Sequence, residues 1–171
     1  METFDFGSGP VPAHRHQNPD GSEGGWVAET ASVANTATVG SSARVFGAAH
    51  VLDYARVYGT ARVCENAQVS GDAQVFGNAW VAGNAKEFDN AKVSGDAQVS
   101  SDAQVFNNAK VLGTANVFGN SEVFGNANVY GNVHNAKVFG NAQVSSFATL
   151  SGEAQISGAL PACPEPSVLG W

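Results

Sequence analysis

The chain has 171 residues, enough for one domain, and 8 basic against 15 acidic residues give it a formal net charge of -7. So little positive charge disfavours binding to nucleic acid or to an anionic membrane surface, because both need clustered Lys and Arg. No apolar run approaches the roughly 20 residues that span a bilayer. The chain has no signal-peptide pattern at its start, and Cys64 and Cys163 make no disulfide framework, so we expect an intracellular protein.

Residues 1–24 are not repetitive and contain several Gly and Pro residues. We predict a loop or an extended segment that caps the end of the fold. His14 and His16 alternate in the manner of metal ligands. Two histidines without a third ligand are weak evidence for a metal site, and we expect neither a metal nor a cofactor.

Residues 25–158 are built from a six-residue repeat, which reads A-x-V-x-G-N. Valine occupies every sixth position from Val27 to Val129, and only Glu87 interrupts the series. The series resumes in a second phase at Val138, Val144, Leu150 and Ile156. A small residue, usually Ala, lies two positions before each of these, and Gly followed by Asn or Asp separates many of the units.

This repeat predicts short strands joined by tight corners. Residues i and i+2 of a strand share a face, so Ala and Val point inward and the residue between them, usually polar, points outward. Gly, Asn and Asp tolerate positive φ at the corner. Such short strands must stack on copies of themselves. Three repeats closing a triangle make a coil of about 18 residues, with strand stacking as in a sheet, and residues 25–158 make about seven coils.

The pattern resembles the hexapeptide-repeat left-handed β-helix of the trimeric LpxA-like superfamily. Pairs such as Val27 and Ala31, or Val69 and Ala73, match its aliphatic residue at i and small residue at i+4. The GNAxV wording is similar to repeat proteins of bacteria and their phages. The resemblance implies an all-β fold, a single-stranded left-handed parallel β-helix of triangular section, in a protein that is cytoplasmic in a bacterium or phage-encoded. It also implies a homotrimer.

The residues that follow the inward valines are often aromatic and should lie outside, near the corners. A step of 18 residues places Phe88, Phe106 and Phe124 in consecutive coils. They either stack along the edge or form an apolar stripe that binds another copy or another protein. The other candidate interface residues are Tyr58, Phe76, Tyr130, Trp80 and Trp171.

Two positions depart from the repeat. Glu87 stands where valine belongs, and a buried carboxylate would be costly, so we predict a bulge that turns it outward, with a functional carboxylate as the alternative. The second departure is at residues 131–136, since Val129 and Val138 are nine residues apart. We predict an irregular corner there that shifts the phase by half a face. The Pro-rich tail, residues 159–171, cannot easily extend the ladder.

The sequence favours a non-catalytic structural or protein-binding module that is oligomeric. The alternative, implied by the resemblance, is an acyltransferase-like enzyme that uses acyl-coenzyme A and a histidine general base. His50 on a regular face and His134 in the irregular corner are its candidates. Neither a phosphate-binding loop nor a nucleophile motif is present.

Overall fold

The computed structural model describes residues 2–158, so the tail with Trp171 lies outside the described residues. Its strands are β1 (Thr3–Asp5), β2 (Pro10–Gln17), β3 (Glu23–Ala28), β4 (Ser32–Val33), β5 (Thr38–Val39), β6 (Arg44–Val45), β7 (His50–Val51), β8 (Arg56–Val57), β9 (Arg62–Val63), β10 (Gln68–Val69), β11 (Gln74–Val75), β12 (Trp80–Val81), β13 (Lys86–Glu87), β14 (Lys92–Val93), β15 (Gln98–Val99), β16 (Gln104–Val105), β17 (Lys110–Val111), β18 (Asn116–Phe118), β19 (Glu122–Val123), β20 (Asn128–Val129), β21 (Asn132–His134), β22 (Lys137–Val138), β23 (Gln143–Val144), β24 (Thr149–Ser151) and β25 (Gln155–Ile156).

From β3 onward, successive strands join three parallel sheets in rotation. The first sheet runs β1-β2-β3-β6-β9-β12-β15-β18-β21-β24, the second β4-β7-β10-β13-β16-β19-β22-β25 and the third β5-β8-β11-β14-β17-β20-β23. Neighbouring strands are paired about 18 residues apart, as Val45 pairs with Val63. The chain is therefore an all-β solenoid of about seven turns with about 18 residues per turn, which confirms the predicted coil length. Residues 2–158 contain no helix of the length and apolarity needed to cross a membrane.

The core is a continuous stack of the inward residues. Their side chains are almost wholly buried from Val39 to Val144, and only Glu87 is charged. Valine suits this position because its branched side chain packs well on a pleated surface. Alanine suits the adjacent inward position, since the interior of the coil leaves little space beside each valine.

The corners are more specific than the sequence predicted. Only the first of the two corner residues takes positive φ, and glycine usually provides it, as at Gly77 (φ 73) and Gly95 (φ 76). The second residue does not have positive φ within residues 2–158, so the tolerance of Asn and Asp for that conformation is not what selects them at this position. Its Asn or Asp side chain instead bonds to the equivalent residue one coil away, as in Asn66 Nδ2 to Asn84 Oδ1 (3.1 Å) and Asn84 Nδ2 to Asp102 Oδ1 (3.0 Å).

The irregular stretch at residues 131–136 does not shift the phase by half a face. Val133 enters the core and pairs with Val117 and Leu150, so the chain still completes one face between Val129 and Val138. Both corners are short, and Gly131 replaces the usual inward alanine. A Cβ on Gly131 would lie 2.3 Å from the Ser145 carbonyl oxygen, so only glycine fits this tight path.

The N-terminal segment is a β-hairpin that covers two of the three sheet edges. Strand β2 pairs antiparallel with β1 and with β3, extending the first sheet. Two side chains then take the place of a strand at the edge of the third sheet. His16 Nε2 bonds to the Ala37 carbonyl oxygen (3.0 Å), and Asn18 Oδ1 accepts from the Val39 N–H (2.9 Å).

Candidate functional site

Four phenylalanine rings form a column along one corner of the solenoid. The centroid distances are 4.9 Å for Phe88–Phe106, 4.9 Å for Phe106–Phe124 and 5.2 Å for Phe124–Phe139, with rings within 8° of parallel. All four are half-buried. We call these residues the Phe column. Phe139 was missed because the irregular corner places it 15 residues after Phe124, and a step of 18 passes over it.

A polar groove flanks the Phe column. It has a volume of about 660 Å³ and is lined by the corner residues Gly71, Asp72, Asp89, Asn90, Asn107, Asn108, Gly125 and Asn126. Six of these residues are the two positions that follow Phe88, Phe106 and Phe124, and Gly71 and Asp72 follow Ser70 at the same corner one coil earlier. The edge therefore combines an apolar stripe with carboxylate and amide groups, a composition typical of an interface core beside its rim.

The other candidate interface residues lie elsewhere. Tyr58 and Phe76 stack at 5.1 Å on the corner after the third sheet, where Tyr130 is 40% exposed. Trp80 lies outward on the first sheet, and its Nε1–H donates to Cys64 Sγ (3.0 Å). Burial raises the pKa of the Cys64 thiol. The structure thus separates these residues from the Phe column instead of joining them in one patch, and Trp171 lies outside the described residues.

The four histidines do not converge. His50 is exposed on the second sheet, whereas His134 lies on the first sheet and stacks on Phe118 (4.3 Å). His14 Nδ1 contacts Glu29 Oε1 (2.8 Å), and His16 is occupied at the Ala37 carbonyl. Within residues 2–158, no three His, Cys, Asp or Glu side chains are placed to hold a metal ion.

Glu87 points into the core, and the predicted outward bulge is wrong. Its strand keeps regular register, with Glu87 paired to Val69 and Val105. The carboxyl group is wholly buried, and neither oxygen has a hydrogen-bond partner in the described part of the chain. Desolvation by burial raises the pKa of Glu87 well above its ordinary value, so burial favours the neutral form of the carboxyl group. A bulge would turn Lys86 and Phe88 inward, because strand neighbours alternate.

A second, basic cavity lies near the N-terminal hairpin. It has a volume of about 450 Å³ and is lined by Phe4, Arg15, Trp26, Ser41, Ser42, Arg44, Thr60 and Arg62. We call it the arginine cavity. Trp26, Arg44 and Arg62 are 18 residues apart in the sequence, and they occupy paired positions on β3, β6 and β9. The sequence does not predict that Arg15 and Phe4 line the same cavity, because they lie in the antiparallel hairpin, which does not follow the six-residue repeat.

No protein-family model, no curated protein and no solved structure matches this chain.

Proposed function

We propose that this protein is a rigid, non-catalytic solenoid that self-associates through the Phe column. The observation that carries the proposal is the column itself: four half-exposed rings in consecutive coils make a straight apolar stripe. Each ring packs its faces against the rings of the neighbouring coils. The outer edges of the rings stay exposed and can contact a partner. A contiguous exposed apolar stripe with a polar border is typical of a protein-binding surface.

A second copy of the chain is the partner that the charges favour. The groove beside the Phe column carries Asp72 and Asp89. On the third sheet, Lys92 and Lys110 pair in register, and neither has a carboxylate partner within residues 2–158. These lysines lie in the same part of the rod as the Phe column. The corner of one copy would therefore meet the lysine-bearing sheet of the next, a heterologous contact that can close into a ring.

The sequence resemblance is our basis for the number of copies in the closed assembly and for the family to which we assign the chain. The A-x-V-x-G-N repeat and the three-sheeted coil support kinship with the left-handed LpxA-like β-helices, and that kinship favours a homotrimer. Within residues 2–158, His50 and His134, the candidate general bases of the acyltransferase alternative, lie on different sheets and do not form one site.

Light scattering coupled to size-exclusion chromatography tests the proposal. We expect a mass of about three times 17.5 kDa for the parent chain and a monomer for Phe106→Ser. Lys110→Glu should dissociate the assembly without altering the column, and added salt should weaken it, because exposed charge pairs are screened.

Phe118→Ser is the matched control, because Phe118 is an exposed aromatic (37%) on the first sheet, away from both the Phe column and the lysine-bearing third sheet. It should leave the mass unchanged. Circular dichroism should show that all variants retain their β-structure. A parent chain that is monomeric at every concentration would overturn the proposal, as would equal dissociation by Phe118→Ser.

A further inference from the structure

We infer that the arginine cavity binds the phosphate group of a small phosphomonoester. Three of the four arginines of the chain line it, although the protein as a whole is acidic. Its lining contains three hydroxyl side chains, Ser41, Ser42 and Thr60, and no carboxylate. Its volume of about 450 Å³ lies within the range of roughly 300–1,000 Å³ that is usual for small-molecule sites.

The two outer arginines are placed side by side without neutralisation. Arg44 and Arg62 occupy paired positions on β6 and β9, and like charges directly opposite each other in a sheet repel. Neither forms an ion pair within the described residues 2–158. An anion bound between them would relieve this repulsion and would meet two guanidinium groups at once.

The third arginine is held in place by the hairpin. Arg15 Nη1 donates to the carbonyl oxygens of Gly24 (3.0 Å) and Ser41 (3.0 Å), and its guanidinium lies 4.7 Å over the Trp26 ring. Glu23 approaches its Nε at 3.8 Å and balances only part of the charge. Arg15 is therefore a preorganised wall of the cavity, and binding does not have to order it.

The remaining wall is aromatic and fixes Arg44. Phe4 stacks on Trp26 at 4.7 Å, and the Arg44 guanidinium lies 5.2 Å over the Phe4 ring. A guanidinium stacked in this way keeps its N–H groups directed sideways, where they can bind two oxygens of one anion. Phosphate matches this fork geometry, and the hydroxyl groups of Ser41 and Ser42 add further donors, whereas the Thr60 hydroxyl already donates to Asn78 Oδ1. The aromatic wall accommodates the organic part of a phosphomonoester.

Isothermal titration calorimetry with phenyl phosphate and with inorganic phosphate at low ionic strength tests the inference. We expect saturable binding of both, tighter for phenyl phosphate. Arg62→Gln should weaken binding about tenfold or more, the usual effect of losing one charged hydrogen bond. Arg62 is exposed and its removal relieves the repulsion with Arg44, so this variant should melt at or slightly above the parent temperature. Arg44→Lys retains the charge without the fork and should also weaken binding.

Arg56→Gln is the matched control, because Arg56 is the remaining arginine and lies on the third sheet. It should leave the affinity unchanged. Absence of saturation by millimolar phenyl phosphate would overturn the inference, and so would an equal loss in Arg56→Gln, which would indicate unspecific charge attraction. Tighter binding of a single-stranded oligonucleotide, lost in Arg62→Gln, would also overturn it in favour of a polyanion site.

Discussion

Glu87 is an ionisable side chain in the middle of an otherwise apolar stack. Its neighbours along the second sheet are Val69 and Val105, and no donor reaches its oxygens from the residues that the structure describes. Burying an unsatisfied polar group costs about 1–3 kcal/mol, and an ionised group costs more. The fold therefore tolerates Glu87 because the surrounding coils, not this residue, determine the register.

Replacing Glu87 by valine should stabilise the protein, because it restores the residue found in the other coils. At pH 4 we expect a gain of about 1–3 kcal/mol in the free energy of unfolding, the cost of an unsatisfied polar group. The gain should be larger at pH 7.5. Urea unfolding of both proteins across this pH range measures it.

The sign of the pH effect follows from the raised pKa of Glu87. An unfolded glutamate has a pKa of about 4.3. Between that value and the folded pKa, the folded state binds more protons, so the parent protein loses about 1.4 kcal/mol per pH unit. Above the folded pKa the loss levels off. Glu87→Gln should remove the same pH dependence. A difference between parent and Glu87→Val that stays constant with pH would show that Glu87 is not buried.

Particular residues show how far the repeat predicts side-chain positions. Strand alternation placed the inward valines and the outward polar residues correctly, because that rule is local. It gave the right direction for Glu87 as well, but the energetic penalty argued for a bulge. That argument was wrong because the strand with Glu87 is paired in register with a strand of the coil on each side. The repeat predicts the stacking of Phe88, Phe106 and Phe124. It does not predict that Phe139 joins them, because that position depends on the path of the chain through the irregular corner.

At the scale of the element, the corners combine backbone strain with side-chain hydrogen bonds. Several first corner positions hold residues other than glycine at positive φ, among them Glu65 (φ 61) and Ser101 (φ 62). The two residues differ in whether a side-chain hydrogen bond compensates the backbone strain. Glu65 Oε2 accepts from the Gly83 N–H one coil away (2.8 Å), whereas the Ser101 side chain forms no equivalent bond to any residue between 2 and 158.

Ser101→Gly should stabilise the protein by about 0.5–1 kcal/mol. Relief of the left-handed conformation contributes about 1–2 kcal/mol, and the greater freedom of glycine in the unfolded chain offsets part of it. Glu65→Gly, the comparison variant, should gain nothing, because it also loses the hydrogen bond to Gly83. Thermal unfolding of the two variants measures the difference. Equal shifts in both would mean that the Glu65 carboxylate does not compensate the strain.

At the scale of the whole molecule, the ends of a solenoid are its vulnerable points. Each coil contacts only its neighbours, so a terminal coil without a cover would expose unpaired strand edges that favour end-to-end association. The hairpin meets this problem at the N-terminal end in two ways. Strands β1 and β2 continue the first sheet, and His16 and Asn18 satisfy the edge of β5 with side chains. The sequence did not predict these side-chain hydrogen bonds at the edge of β5, because the alternating histidines suggested metal ligands instead.

Removing residues 1–22 should therefore leave a folded solenoid that aggregates end to end. The remaining coils keep their nearest-neighbour contacts, so circular dichroism should still report β-structure. Light scattering should show particles larger than those of the full chain, growing with concentration. Asn18→Ala isolates the side-chain contribution. It leaves the Val39 N–H unpaired and should cost about 1–3 kcal/mol without exposing β3. If the truncated protein had the same mass per particle as the parent at all concentrations, the hairpin would not act as an end cap, and its importance would lie in forming the arginine cavity alone.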